Sequence, residues 1–267
     1  MRRSRPALKL HQSPLVYVLA QVRITPVLKM GAFVPEVQDR LRREGYPRFV
    51  EGKVQEILFD PMTGPQVEAH PRWDFQAKDG RTGIILTRTA LVVHTNQYDT
   101  YEKFEAELER AIRIVGEVVQ PSLVERLGLR YVDLIRPRKG ETCTEYLKPG
   151  LHGLSAEELG VKKALLRSET VGNTDIGRLI VRCVQTMQAA PLPPDLWPAT
   201  LDFSTIKVPP DELVTMLDLD HYTEVPREFD AAGVLDTMRQ LHDTLDGAFR
   251  AAVTPEAMKA WKAEEVR

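Results

Sequence analysis

Two segments of the sequence carry apolar residues at steps of three and four, which is the spacing of one face of an α-helix. One segment ends near Pro121 and the other begins near Asp230, and each follows several short apolar or alternating runs that are typical of strands. The apolar positions are Phe104, Leu108, Ile112, Val115 and Val119 in the first, and Leu235, Met238, Leu241, Leu245, Phe249 and Val253 in the second. A helix with one apolar stripe buries it against another layer, so the pattern predicts an α+β fold whose antiparallel meanders are each backed by a long helix.

The order of predicted elements occurs twice along the chain: an opening strand, a short helix, a meander and a long helix. We interpret residues 14–125 and 126–267 as two tandem related β-α-β(3-4)-α halves, preceded by a flexible basic arm at residues 1–13. Each half resembles the TATA-binding-protein-like or helix-grip class of fold, which by itself implies no function. The alternative is a single α+β domain whose two halves resemble each other by chance.

Local signals set some of the element boundaries. Pro35 is predicted in the first turn of a helix that ends near Arg43. Asp99 and Glu102 have the spacing of a capping box at the start of the first long helix. Residues 189–210 hold six prolines and are predicted to be mostly loop.

Composition excludes several classes of protein. The 267 residues include 36 basic and 38 acidic side chains, so the formal net charge of -2 argues against a surface devoted to polyanions. Two cysteines, Cys143 and Cys183, do not make a disulfide scaffold. Because no Gly-x-Gly-x-x-Gly, Walker-type or Gly-x-Ser-x-Gly motif occurs, the sequence predicts no cofactor and no catalytic residue. Without a signal peptide or a membrane-length apolar run, we expect a soluble cytoplasmic protein with no membrane partner.

Three stretches of sequence, at residues 13–23, 126–132 and 217–220, combine with Trp73-x-Phe75 and a closing helix that contains Leu241, His242 and Phe249. Together they resemble a sporadically distributed, functionally uncharacterised bacterial family of about the same length. Patchy distribution is typical of defence-linked or mobile-element-linked genes, so the resemblance implies an accessory subunit of a bacterial multi-protein system. The proline-rich stretch at residues 189–210 departs from the usual pattern of that family and is enlarged here.

Two acids and two histidines are candidates for an acidic or metal site. Asp218 and Asp220 are two residues apart on a predicted strand, so both carboxylates project from the same face. His94 and His221 end corresponding strands of the two halves and would meet Asp220 if the halves pack about a twofold axis. This supports a weaker alternative function, a metal-dependent hydrolase or nuclease. Ordinary cross-strand pairing of the acids with arginines is the other interpretation.

Basic residues suggest a second alternative, a nucleic-acid-binding subunit. Arg23 and Arg130 lie on the two opening strands, and if they point inward each needs an anion, either internal or from a ligand. The candidate contacts with nucleic acid are Arg23, Arg130, Tyr131, Arg136, Arg138 and Lys139, with Tyr131 stacking on bases. Interleaved acids favour a solvated charged face instead.

The absence of a catalytic signature decides the leading hypothesis. We expect a non-enzymatic binding or interaction protein that contacts a protein partner, or a second copy of itself, through its sheet faces or its proline-rich loop.

Overall fold

The structure, a computed structural model, describes residues 7–60, 64–187, 192–196, 199–208 and 212–266. The helices are α1 (Met30–Arg43), α2 (Tyr101–Val118), α3 (Cys143–Tyr146), α4 (Ala231–Ala252) and α5 (Pro255–Ala260), with short 3-10 turns at Pro149–Leu151 and Pro194–Leu196. The strands are β1 (Ala7–Leu10), β2 (Leu15–Ile24), β3 (Arg48–Asp60), β4 (Gly64–Gln76), β5 (Thr82–Thr87), β6 (Ala90–Thr95), β7 (Leu123–Ile135), β8 (Arg167–Asn173), β9 (Arg178–Thr186), β10 (Val214–Thr223), β11 (Arg227–Glu228) and β12 (Ala263–Val266).

The predicted α+β class is confirmed, and the two meanders join into one sheet. In the described ranges, ten strands form an antiparallel sheet in the order β3-β4-β5-β6-β2-β7-β10-β9-β8, with β11 added beside β7. The two opening strands, β2 and β7, are neighbours in the middle of this sheet. All strands on one side of that pair come from the first half of the chain, and all strands on the other side come from the second half.

Both long helices pack on the same face of the sheet and against each other. The apolar stripe of α2 is buried as predicted, from Phe104 to Val115, and that of α4 is buried from Leu235 to Leu245. These stripes meet alternate residues of the central strands, such as Val18 and Leu129, in one continuous core. We call this face of the sheet the helix face and the other the open face. None of the described helices is long and apolar enough to cross a membrane.

The prediction of a flexible arm at residues 1–13 is wrong for residues 7–10. Residues 7–10 form β1, which pairs with β12 from Ala7 opposite Val266 to Leu10 opposite Ala263. The partner strand lies at the far end of the chain, so no local signal could reveal the pairing. Residues 1–6 lie outside the described residues.

Two predicted helix starts are also wrong. Helix α1 begins at Met30, so Pro35 lies inside it rather than in the first turn. The buried positions of α1 already begin at Met30 and continue at Val34, so the helix starts well before Pro35. The proline therefore lies beyond the first helical turn, which is where a proline is most easily accommodated. The cap of α2 is Thr100, whose side chain accepts a hydrogen bond from the Lys103 backbone N–H, whereas Asp99 forms an ion pair with Lys9.

Candidate functional site

The described parts of the proline-rich stretch, residues 192–196 and 199–208, lie across the open face of the sheet, and we call them the strap. Leu192 and Leu201 are buried there against Tyr17, Val132 and Met216 of the sheet. Farther along, Val208 is buried with Leu134 and Val214. Apart from the 3-10 turn at Pro194–Leu196, these described parts are irregular, as predicted, but their buried apolar residues contribute to the protein's own core. The remaining residues of 189–210 lie outside the described ranges.

Polar contacts fasten the strap to both halves of the sheet. Thr200 donates its hydroxyl to Asp74 Oδ1 at 3.0 Å and accepts a hydrogen bond at its carbonyl oxygen from Gln76 at 2.8 Å, both on β4. On the other side of the sheet centre, Asp195 accepts a hydrogen bond from Arg130 on β7. The strap therefore spans the β2–β7 junction, and displacing it would separate several paired groups together.

Arg130 is the centre of the polar cluster beneath the strap. Its Nε and Nη2 atoms each donate a hydrogen bond of 2.7 Å to Asp218, one to each carboxylate oxygen. Arg182 adds a third hydrogen bond to Asp218 at 3.2 Å and another to Glu169 at 2.6 Å. Burial alone lowers the pKa of Arg130, but the hydrogen bonds to Asp218 and Asp195 outweigh it and raise the pKa. The guanidinium thus stays charged, and its anionic partners are internal.

The acid pair is placed as predicted, but its surroundings do not suit a cation. Asp218 and Asp220 share the open face, since Asp220 lies opposite Arg130 and Asp218 opposite Arg182. A third arginine, Arg126, lies 3.9 Å from Asp220. Three guanidinium groups around two carboxylates would repel a metal ion. In the part of the chain that the structure describes, no group of three or more His, Cys, Asp or Glu side chains could hold one.

The predicted meeting of the two histidines is wrong. His94 lies on the open face, where its Nδ1 is 2.8 Å from the Tyr17 hydroxyl. His221 lies on the helix face, and its ring nitrogens contact the Leu241 carbonyl at 3.3 Å and the Thr174 hydroxyl at 2.9 Å. Because adjacent residues of a strand project to opposite faces, His221 cannot share a site with Asp220.

The Tyr17–His94 pair is a feature that the sequence did not reveal. His94 is only 1% exposed. Burial, together with the positive charge of Arg72, lowers its pKa to about 3, so the imidazole is neutral. Among the described residues its Nε2 atom has no hydrogen-bond partner. That edge of the ring faces Gly83 on β5, near the strap residue Leu201, and the strap excludes a substrate from it.

The basic candidates do not form one surface. Arg23 is exposed and lies 3.3 Å from Glu125, near one end of β7. Arg136 follows the other end of β7 and donates hydrogen bonds of 2.8 and 2.7 Å to Glu212. Since a strand rises about 3.3 Å per residue, these two arginines are roughly 30 Å apart. Arg138 is held by the Ala260 carbonyl at 2.7 Å.

Lys139 and Tyr131 complete the set predicted to contact nucleic acid. Lys139 is exposed. Tyr131 is buried on the helix face, with its hydroxyl 3.0 Å from His242 Nδ1, so the prediction that it stacks on bases beside Arg130 is wrong. Neighbouring strand residues point to opposite faces, which separates Tyr131 from Arg130. No observation in the described ranges favours nucleic acid over another partner.

The two edges of the sheet differ sharply. Edge strand β3 has 13 residues, and its pairing with β4 runs without a bulge from Arg48 opposite Gln76 to Asp60 opposite Gly64. Its exposed side chains include Phe49, Val50 and Val54, with exposures of 41, 48 and 37%. The opposite edge strand, β8, has seven residues. A long, regular and partly apolar edge is the kind that accepts another strand.

Comparison of the sequence with protein-family models and with curated proteins gives no match.

Proposed function

We propose that this chain is a non-enzymatic binding protein that holds a protein partner by strand addition to the free edge of β3. In the described residues no other strand pairs with that edge. Strand addition satisfies the outward backbone N–H and C=O groups of an edge, while alternate side chains select the partner. The single observation that carries the proposal is the exposure of Phe49, Val50 and Val54 along this unbroken edge.

Charge at the same edge supports selectivity. Glu51 and Lys53 are exposed and lie between the apolar positions of β3. A partner strand with a basic residue opposite Glu51 and an acid opposite Lys53 would form favourable cross-strand pairs, and a strand with the reverse charges would be rejected. The partner is therefore an apolar strand with two charges of defined order.

The covered open face supports a role in binding rather than chemistry. Arg130 and Asp218 satisfy each other, and the strap lies over them. A general base must reach its substrate directly or through one water, and the neutral imidazole of His94 faces the strap instead. The resemblance to a patchily distributed bacterial family makes an accessory subunit of a multi-protein system the natural setting for such a role.

We further propose that the chain arose by duplication of one β-α-β(3-4)-α unit of the TATA-binding-protein-like or helix-grip class. The central position of β2 and β7 supports this, because the strands of each half extend outward from that pair. Superposing residues 14–125 on residues 126–267 tests it. If β2, α2 and their meander fail to overlay on β7, α4 and theirs, the halves are unrelated.

A paired substitution tests the partner surface. We expect Val50→Lys/Val54→Lys to keep the fold and to abolish partner binding, because a charged edge resists strand addition. Val171→Lys is the matched control, since Val171 is 53% exposed on the other edge strand, β8. The measurement is cross-linking in lysate of the source cells followed by mass spectrometry, with light scattering to detect self-association.

The expected result is that cross-links from the bound partner map to residues 48–54 and disappear only in the β3 variant. A doubled mass that the β3 variant loses would assign the edge to a second copy of the chain. Equal capture by the β3 variant and the β8 control would overturn the proposal.

A further inference from the structure

A small pocket lies on the helix face, between the central strands and α4, and β1 closes one side of it. Its volume is about 110 Å³. The lining includes Asp133, Tyr98, Tyr131, His242, Leu219 and Phe249. It is separate from the strap, from the Arg130 cluster and from the β3 edge, so none of the features described above accounts for it.

Asp133 is the polar group at the base of this pocket. It lies on β7 directly opposite Leu15 on β2 and Leu217 on β10, in an otherwise apolar row. The residue is 2% exposed, and its carboxyl group has no hydrogen bond or ion pair to any other described residue. Burial, together with the negative charge of Asp218, raises the pKa of Asp133 to about 8. A buried carboxyl without a partner is costly, so its retention calls for a group that pairs with it.

The other two acids in the lining already have partners. Asp99 lies 3.1 Å from Lys9, and Asp246 accepts a hydrogen bond of 2.8 Å from Arg250. Among the described residues that line the pocket there is no lysine or arginine. Within the part of the chain that the structure describes, Asp133 is therefore the lining acid that has no cationic partner.

Aromatic rings form much of the remaining wall. Tyr98 and Tyr131 meet edge to face, with centroids 5.6 Å apart. His242 is stacked on Tyr101 at 4.0 Å, and burial lowers the pKa of His242, so it adds no positive charge. The negative faces of aromatic rings attract organic cations, and the apolar side chains accept an alkyl group.

We propose that this pocket binds a small primary alkylammonium ion, whose nitrogen donates hydrogen bonds to the Asp133 carboxylate and whose alkyl chain lies against Leu219, Leu245 and Phe249. The volume restricts the ligand to a few heavy atoms, because a cavity of roughly 150 Å³ is enough for benzene. Binding transfers the carboxyl proton of Asp133 to solvent, and the ammonium keeps all its own protons. The bound state is then a carboxylate–ammonium pair.

Proton release makes the affinity pH-dependent. The titratable groups facing Asp133 are Tyr98, Tyr131, His242, Asp99 and Asp246, with Asp218 on the neighbouring strand. Burial raises the pKa of both tyrosines and lowers that of His242, so Asp133 is the group expected to titrate near pH 8. By linkage, the affinity for an alkylammonium ion rises roughly tenfold per pH unit while Asp133 is protonated, and levels off above its pKa.

The test uses n-butylammonium and its neutral counterpart 1-butanol, each titrated into the full chain by calorimetry and by amide chemical shifts. We expect n-butylammonium to bind with a Kd in the millimolar range or tighter, to shift the amide signals of Tyr131 and Asp133, and to release a proton near pH 7. Butanol should bind at least tenfold more weakly. Asp133→Asn keeps the shape of the side chain and should weaken n-butylammonium binding at least tenfold.

Asp175→Asn, an exposed acid outside the pocket, is the matched control and should bind as the unaltered chain does. Thermal unfolding establishes that both variants are folded. The proposal is overturned if n-butylammonium shows no binding at millimolar concentrations or if 1-butanol binds equally well. It is also overturned if Asp133→Asn binds n-butylammonium as tightly as the control does.

Discussion

Arg130 pairs with Asp218 diagonally across the sheet, although Asp220 is the acid directly opposite it. The strand register sets Asp220 against Arg130 and Asp218 against Val132, yet both 2.7 Å hydrogen bonds go to Asp218. The diagonal arrangement brings Arg130 within reach of Asp195 on the strap as well. One guanidinium therefore joins two strands and the strap.

Removing the charge of Arg130 should destabilise the fold strongly. In Arg130→Met, Asp218 loses two hydrogen bonds while it remains buried, and breaking a buried pair in this way costs about 3–5 kcal/mol. Urea unfolding at pH 7 measures the loss. The double variant Arg130→Met/Asp218→Leu should recover part of it, because no buried carboxylate is then left with its main partner missing.

The exposed pair Arg136–Glu212 is the control for that experiment. Arg136→Met should change the free energy of unfolding by less than about 1 kcal/mol, because solvent screens exposed pairs. Equal losses in Arg130→Met and Arg136→Met would show that the cluster beneath the strap does not hold the sheet together.

His94 should make the protein sensitive to acid. Its folded-state pKa of about 3 lies below the ordinary value of 6.5, so the unfolded chain binds a proton that the folded chain excludes. Its contribution to stability is fully present above pH 6.5 and is lost as the pH falls toward 3. Between pH 6.5 and 4.5 the loss from this group is roughly 2 kcal/mol.

The variant Tyr17→Phe/His94→Phe removes the titration and leaves neither partner of the pair behind. We expect its free energy of unfolding, measured in urea, to fall less over that pH interval than that of the unaltered chain. Identical pH slopes would show that His94 is protonated in the folded protein.

Asp133 should change the pH dependence of stability in the opposite direction from His94. Its folded-state pKa of about 8 lies above its ordinary value of 3.8, so its contribution is fully favourable below pH 3.8 and is lost as the pH rises through 8. Between pH 5 and pH 8 the penalty from this group is roughly 4 kcal/mol. Asp133→Asn should be the more stable protein at pH 8, and the difference should shrink at pH 5. Thermal melts at the two pH values check this, and a difference that does not vary with pH would contradict it.

The close approach of β5 to His94 leaves no room for a side chain at Gly83. A Cβ there would lie 2.7 Å from His94 Nε2 and 3.2 Å from Leu201 Cδ2. We expect Gly83→Ala to destabilise the protein by about 1–3 kcal/mol, because the imidazole and the strap must both move. Gly52→Ala is the control, since nothing lies within 4 Å of the corresponding position in β3. If both variants unfold at the same urea concentration, the strap is not packed tightly against β5.

Local patterns predicted more of the fold than of the site. The apolar stripe through Leu108 and the alternation around Val18 identified the long helix and the opening strand correctly, because each pattern lies within a single element. The two-residue alternation of a strand also predicted correctly that Asp218 and Asp220 lie on one face. The pairing of His94 with His221 failed because it depended on the packing of distant segments.

The sequence contains a signal that Asp133 is unusual. It lies in the row of Leu127, Leu129 and Ile135, which are all buried, and an acid in such a row is a signal of a paired or functional carboxyl. The sequence could not show that β1 closes a pocket beside it, or that no lysine or arginine in the described ranges lines that pocket.

By itself the sequence determined which residues belong together within a helix or strand, because periods of two and 3.6 residues follow from backbone geometry alone. Tertiary structure decided which face of the sheet received the helices and which received the strap. It also selected Asp218 over Asp220 as the partner of Arg130, and among the described residues it left Asp133 without a partner. These outcomes depend on contacts between segments that are distant along the chain, and the free energy of such contacts is set by burial and geometry that no local pattern contains.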